Sequence, residues 1–473
     1  MSRFAFTLAT AAVLAVVALV SRPAAHSTQA TPAADVLPVA PPATQWSVLA
    51  NLSGCAANPV VRVVFPSDKP NHATGPGAIV WSATSACAGG PGARVAPLGA
   101  SDVPGTSIVP RSASGEPIAP RGQITASGAP HGQIAIAGTS PGMTSAGLLI
   151  QGMASGPFAP LKASGGFTAP VALDTAYLGD VAVASSPASA RSDGALNVHV
   201  ERFYAHDFNR NVSARAPGGG PVQALTLAMD FRGEALAVWA QRGTIYARLI
   251  PNKGPARPLQ HLGSAGSDPK ISALLSDDNR AIVAWAGRRG TQTSVYIDRS
   301  ALGVRFRAPQ LLERFRNPDG LASPAGSPSL VRLSTESVLL AWAGTAAGHW
   351  VVRTAPVDLN GILSVGTIAA PGADALLADL APGPVDDALV LWTEPLPTRA
   401  GQPDMARQAI FAARGTEVGG GRASFDEPEQ VGAPGPVSEA TVAFDPTSDR
   451  AVAAWQGEAG TIDYSIRGAE AGQ

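Results

Sequence analysis

Charge is scarce in this chain of 473 residues: Asp, Glu, Lys and Arg together make 15%, the formal net charge is -1, and no basic run occurs. Nucleic-acid affinity draws on counterion release at a basic surface, so DNA and RNA partners and electrostatic attachment to a membrane have no source here. Lysine is nearly missing, with Lys69, Lys162, Lys253 and Lys270 as the whole set. Arginine is therefore the default cation, and a single Arg is a weak sign of anion recognition. Cysteine is limited to Cys55 and Cys87, with no second Cys or His at ligand spacing, which argues against a metal centre. Aromatic residues are only 5%. What the chain has in quantity is 51 Gly and 42 Pro among 45% hydrophobic residues. Such a composition is too apolar for general disorder and too rich in turn formers for a helix bundle.

The one long apolar run is FAFTLATAAVLAVVALV, preceded by Arg3 and followed by a polar, Ala-rich segment with small residues at Thr28-Gln29-Ala30. This pattern reads as a secretory signal over residues 1–30; the competing reading is an uncleaved anchor, since the run is near the lower limit for spanning a bilayer. Residues 31–45, with their prolines and no periodicity, read as a linker. In an exported protein the isolated pair Cys55 and Cys87 forms a disulfide. Leu52-Ser53-Gly54-Cys55 also fits a lipoprotein box, but that box must directly follow the apolar run and here lies far beyond it.

A repeat organises the rest. Apolar runs ending in tryptophan recur at ALAVW (Trp239), AIVAW (Trp285), VLLAW (Trp342), ALVLW (Trp392) and AVAAW (Trp455), spaced by 46 to 63 residues. Each is preceded by an apolar strand and a turn such as Asp230-Phe231-Arg232-Gly233, and followed by a polar turn and a strand with an aromatic residue shortly before Arg. Alternate residues of ALAVW point to opposite sides. Both sets are apolar, so the strand is covered on both faces, as the inner strands of a propeller blade are. The spacing fits four-stranded blades with long loops. In the first half Ala78-Ile79-Val80-Trp81 is a clear copy, and QIAIA and DVAVA supply two degenerate ones, with Ala137 and Ala184 near the tryptophan position. The count is eight blades, with seven as the nearest alternative. The last unit stops after its third strand, and Trp46 to Leu52 could supply the fourth. The expectation is an all-β propeller over residues 46–468 closed by both termini, with a tail at 469–473.

On the pattern Asp230-x-x-Gly233-x-Ala235-x-x-x-Trp239, the units resemble the repeats of secreted bacterial, especially actinobacterial, β-propeller proteins grouped loosely with sialidase-like propellers. The resemblance covers Leu225 to Gly468 well and Trp46 to Leu225 poorly. It implies a fold, and very little about activity. The sialidase Asp box is not present; the nearest segment, Ser276-Asp277-Asp278-Asn279, lacks its spacing.

Chemistry is harder to find. Arg242, Arg288, Arg289, Arg399 and Arg407 fall in or near the turns after the Trp-ending runs, and with His349 and Glu394 they form a candidate ligand-binding set on one rim. Tyr246, Tyr296 and Tyr464 occupy equivalent repeat positions and read as packing residues rather than a nucleophile. His199 and His206 are the nearest histidine pair, without metal spacing. No phosphate loop or calcium loop occurs. The sequence therefore favours a noncatalytic, extracytoplasmic binding or scaffold protein. It is expected to be a monomer that needs no cofactor and recognises a protein or glycan; the alternative is a secreted glycan-acting hydrolase or lyase.

Overall fold

The computed structural model describes residues 46–468, apart from 50–51, 53–54, 70–71, 100–101, 139–147, 162–166, 188–194, 202–209, 279, 301–304, 319–326, 334–336, 359–360, 369–373, 385–386, 399–402, 417–422, 446–447 and 449. The signal and linker segments lie outside these residues. The chain folds as an eight-bladed, all-β propeller of antiparallel sheets. Among the described residues the one helical element is the short 3-10 turn Glu458–Gly460.

Blades are numbered here in chain order by their innermost strand: Ala56–Val64, Ile124–Ala129, Phe167–Thr175, Val222–Met229, Ser267–Leu275, Ser329–Arg332, Leu376–Pro382 and Ala440–Phe444. Each inner strand contacts the next, and the last contacts the first, so the ring is closed around a channel. Closure is made by strand pairing between the two ends of the described chain. Trp46–Leu49 pairs with Ile462–Arg467 in blade 8, with Trp46 opposite Arg467 and Leu49 opposite Tyr464. This removes a sheet edge at the seam. Blade 1 is the thinnest, with three strands and an outer bridge from Val95 to Ile108. Blade 7 is the widest, since both Ser424–Phe425 and Glu429–Gly435 pair with its third strand.

Among the described residues the apolar core is divided into eight clusters, one between each pair of neighbouring blades. The Trp-ending strands explain it. Trp239 packs with residues of blade 3, Trp285 with blade 4, Trp342 with blade 5, Trp392 with blade 6, Trp455 with blade 7 and Trp81 with blade 8. Every one of these indoles faces the preceding blade, and the residues of its strand that alternate with it, such as Leu236, Val238, Ile282, Leu339 and Leu391, face the following one. All six rings are buried. A ring needs a gap in the neighbour's outer strand, and glycine makes it: a Cβ on Gly432 would lie 2.7 Å from the Trp455 ring, and one on Gly263 3.1 Å from that of Trp285.

The repeat is less regular than its sequence suggests. Trp239 stacks on Tyr246, Trp285 on Tyr296 and Trp392 on Phe411, each across a strand pair. In blade 8, however, Asp463 stands opposite Trp455 and Tyr464 opposite Ala454. Tyr464 is thus one register step from Tyr246 and Tyr296, and it packs on the other face, toward blade 1. Alternation also corrects the degenerate copies. Ala137 and Ala184 face the following blades, whereas Ile134 and Ile136 in blade 2 and Val181 and Val183 in blade 3 fill the space that tryptophan takes elsewhere.

Cys55 and Cys87 form a disulfide with Cα atoms 5.4 Å apart. It ties the start of blade 1's inner strand to the turn beyond its second strand, where Thr84 N–H also donates to Cys55 O. Two stability outcomes follow from this packing. Truncating Trp239 to Ala should cost about 3–5 kcal/mol through the cavity it leaves, read as a lower denaturation midpoint with circular dichroism. Cys55→Ala with Cys87→Ala should cost roughly 3 kcal/mol by the loop-entropy argument, with an unchanged spectrum of the folded state.

Candidate functional site

Successive strands of a blade run antiparallel. The turns between strands one and two therefore gather at one face of the ring, and those between strands two and three at the other. The inner strands expose backbone edges to the channel, and unpaired N–H groups there need acceptors. Side chains of the preceding blade supply them. Asp174 accepts Met229 N–H at 2.7 Å, Ser272 accepts Leu330 N–H at 3.0 Å and Asp379 accepts Val442 N–H at 3.0 Å. Ser127 and Thr175 hydroxyls meet at 3.0 Å across blades 2 and 3, and Arg62 of blade 1 binds Glu439 of blade 8 at 2.5 Å. These contacts place several polar groups on the channel wall and commit them to the fold.

At the face of the first turns the channel opens into a depression of about 260 Å³, lined among others by Phe65, Ser67, Tyr177, Arg332, Pro382 and Phe444. Five blades contribute, so the site exists only in the closed ring. Arg332 ends the inner strand of blade 6, where the matching positions hold Met229, Leu275 and Phe444. Its guanidinium donates to Asp277 Oδ1 at 3.1 Å and to Leu275 O. Asp277 also accepts Phe231 N–H at 3.3 Å, so one carboxylate joins blades 4, 5 and 6. Tyr177 sits in the first turn of blade 3, between Ala176 and the exposed Leu178.

Burial sets the protonation of this mouth. Desolvation pushes the Tyr177 phenol up to about 12, against the attraction of Arg332 and with the repulsion of Asp174 and Asp277. The phenol is therefore a proton-bearing donor at neutral pH. Desolvation also pushes Asp174 up to about 6, although N–H donation by Met229 and Thr175 opposes it. The mouth thus offers hydrogen-bond donors, a guanidinium and phenyl faces. Among the described residues its carboxylates are Asp174, which accepts from backbone N–H groups, and Asp277, which accepts from Phe231 N–H and from Arg332.

The seven residues singled out in the sequence lie elsewhere. Arg242 is at the tip of the second turn of blade 4, beside Gly220. Arg288 and Arg289 end the second strand of blade 5, and Arg289 donates to Ser264 Oγ at 2.9 Å. His349 is exposed at the matching turn of blade 6, with Nδ1 3.6 Å from Asp374. Glu394 is buried and accepts the Trp392 indole N–H at 2.8 Å. Arg407 is exposed in the third strand of blade 7, and Arg399 lies outside the described residues. Among the described residues no hydrogen bond joins Arg242, Arg288, Arg289, His349 or Arg407 to another of the set. They belong to the face opposite the depression. His199 is buried between Asn211 at 2.7 Å and Glu201 at 3.1 Å, and His206 lies outside the described residues. No group of three or more His, Cys, Asp or Glu able to hold a metal ion occurs among the described residues.

Sequence reasoning missed the mouth because Phe65, Tyr177, Arg332 and Phe444 are far apart in the chain. The available signal was Arg332, a charge at a strand-end position that is apolar in its neighbours.

No family model matches the chain, and no curated protein does. Solved structures are similar in fold. An ulvan lyase from a new polysaccharide lyase family is 10% identical, with 76% of this chain and 92% of that one covered and a TM-score of 0.41. A puromycin hydrolase is 13% identical over 69% of this chain, TM-score 0.39, and the chain spans only 49% of its length. Trypanosoma rangeli sialidase is 8% identical, covering 70% of this chain and 59% of that one, TM-score 0.35.

Asp102, Asp230 and Asp298 share the fate of Asp174: desolvation pushes each up to about 6. Asp298 is the cleanest probe, being buried with Oδ2 lacking a hydrogen-bond partner. Its folded value exceeds the unfolded one of about 3.9, so the native state binds the extra proton and stability falls as pH rises from about 4 to 6, then levels off. The melting temperature should accordingly be higher at pH 5 than at pH 7.5. Asp298→Asn should raise stability by roughly 1 kcal/mol at pH 7.5 and change little near pH 4.5, as read from denaturant titrations at the two values.

Proposed function

We propose that the protein is a noncatalytic binding or scaffold protein acting outside the cytoplasm, and that its ligand, a protein or a glycan, seats in the channel mouth. The observation that carries this reading is the mouth's inventory: donors and ring faces are presented, while the carboxylates beside them are held by backbone N–H groups and Arg332. An enzyme of the sialidase type would need an activated tyrosine, and Tyr177, the one tyrosine at the mouth among the described residues, is pushed the other way. Work outside the cytoplasm is supported by the disulfide and by the signal-like residues 1–30, which we take to be cleaved ahead of a linker over residues 31–45. No helix among the described residues is long and apolar enough to cross a membrane. We further take the chain to act as a monomer without a cofactor.

A glycan-acting hydrolase or lyase is the second reading, favoured by one observation: Tyr177, Asp174, Asp277 and Arg332 act electrostatically on one another around one depression. A binding screen of glycans and peptidoglycan fragments beside a hydrolysis assay separates the two. The expected result is binding without turnover, weakened at least about tenfold by Tyr177→Ala with the melting curve unchanged. Turnover that disappears in Asp174→Asn or Asp277→Asn would replace the binding reading with the enzymatic one.

A further inference from the structure

The interface between blades 5 and 6 is incompletely filled. A cavity of about 50 Å³ opens there at the face of the first turns, with Leu274, Ile282, Val338 and Val357 in its walls and Arg280, Arg299 and Arg332 around it. The repeat itself shows what is missing. In blades 5, 7 and 8 the residue opposite the end of the third strand is aromatic: Phe306 opposite Ser300, Phe425 opposite Gly415, Trp46 opposite Arg467. Each ring packs into the interface with the preceding blade. In blade 6 this position is Ile362, opposite Val357, and it packs against the interface with blade 5. Blade 6 thus has less carbon at this position than a ring would give, opposite Val357 in the cavity wall.

The polar side of the cavity departs from the repeat in the same way. Arg299 pairs with Ile282 across the strands as Arg414 pairs with Leu389 in blade 7. Arg414 is satisfied by the carboxylate of Asp387, through Nε at 3.1 Å and through Nη2. The residue matching Asp387, just before the second strand, is Arg280 in blade 5. Among the described residues no carboxylate hydrogen-bonds the Arg299 side chain, which donates from Nη1 to Asp358 O at 3.5 Å; the charge of Asp298 acts on it only electrostatically. The carboxylates nearby are engaged. Asp278 is held by Arg280 and Ser276, Asp277 by Arg332, and Asp358 accepts the N–H of Gly361 in its own turn. Asp298 alternates to the other face of the strand.

We propose that this slot binds a small aliphatic carboxylate, its carboxylate on Arg299 where blade 7 uses Asp387, and its alkyl chain in the space that a ring fills in blades 5, 7 and 8. A volume of about 50 Å³ takes roughly two methyl groups, so the branched end of a short chain enters the cavity while its carboxylate stays at the open side, beside Arg299. This site is separate from the channel mouth, although Arg332 borders both.

Calorimetric titration of the full chain with isovalerate tests it, with isovaleramide as the uncharged comparison. Isovalerate should bind in roughly the millimolar range expected of so few atoms, and the amide about tenfold more weakly or worse. Ile362→Phe, which supplies the ring, and Arg299→Gln, which removes the cation, should each weaken isovalerate at least about tenfold. Both should keep the wild-type melting curve, and Tyr177→Ala at the channel mouth should bind isovalerate like the wild type. If Ile362→Phe does not fold, Arg299→Gln decides alone, because that side chain is only half-buried. Absence of isovalerate binding, equal binding of the amide, or undiminished binding by Arg299→Gln would overturn the proposal.

Discussion

The ring stands on one contact repeated around it: an indole from the second strand of one blade driven into the blade before it. A propeller has a channel where other folds have a central core, so its apolar burial is all between neighbours, here in eight separate clusters. Burying a tryptophan removes about 150–250 Å² from water, roughly 4–6 kcal/mol in transfer terms. That contribution is local to one interface, and the ring holds only if every interface holds. This explains why the neighbouring outer strand carries Gly263 and Gly432 beneath Trp285 and Trp455. A Cβ there would displace the ring that joins the blades.

The second constraint is polar and sits on the channel side. Inner strands have one edge with no strand partner, and their N–H groups are accepted by Asp174, Ser272 and Asp379 of the preceding blades. The acids and hydroxyls near the channel are therefore mostly part of the structure. For Asp174 this has a measurable side effect: a carboxyl held among backbone groups in a desolvated wall keeps its proton to a higher pH. The same placement that suggests chemistry, titratable groups at the centre of a ring, is explained by the hydrogen-bond needs of strand edges.

Much of the architecture was legible in the sequence because the strongest packing element is also an infrequent residue type, with eight Trp in the chain. Trp81, Trp239, Trp285, Trp342, Trp392 and Trp455 mark six of the eight blades directly, and Trp46 announced the closing strand. Where the ring was replaced by Ile136 or Val183, the blade could be counted but its register could not. Tyr464 misled for a related reason: its distance from Trp455 in the chain resembles that of Tyr296 from Trp285, but the turn between them differs, and one residue of slip moves a side chain to the other face. The channel mouth was not legible. Its residues come from five blades and meet only through closure, whereas Arg242, Arg289 and His349 announce themselves as turn residues yet stand on separate blades at the opposite face.

In a chain where arginine is the ordinary cation, residue type says little about function, and position in the repeat says more. Each blade is a control for the others. Arg332 is conspicuous only beside Met229, Leu275 and Phe444; Arg299 only beside Arg414 with its Asp387; Ile362 only beside Phe306, Phe425 and Trp46. Two of these three departures fall in blade 6, whose outer strand is just Gly366–Thr367, and the third faces it from blade 5. Drift with no ligand to hold would be expected to soften one interface by scattered loss of volume. Here the loss of a ring coincides with the loss of a carboxylate and the gain of a guanidinium around the same space. Binding an outside carboxylate would restore both of the lost groups at once.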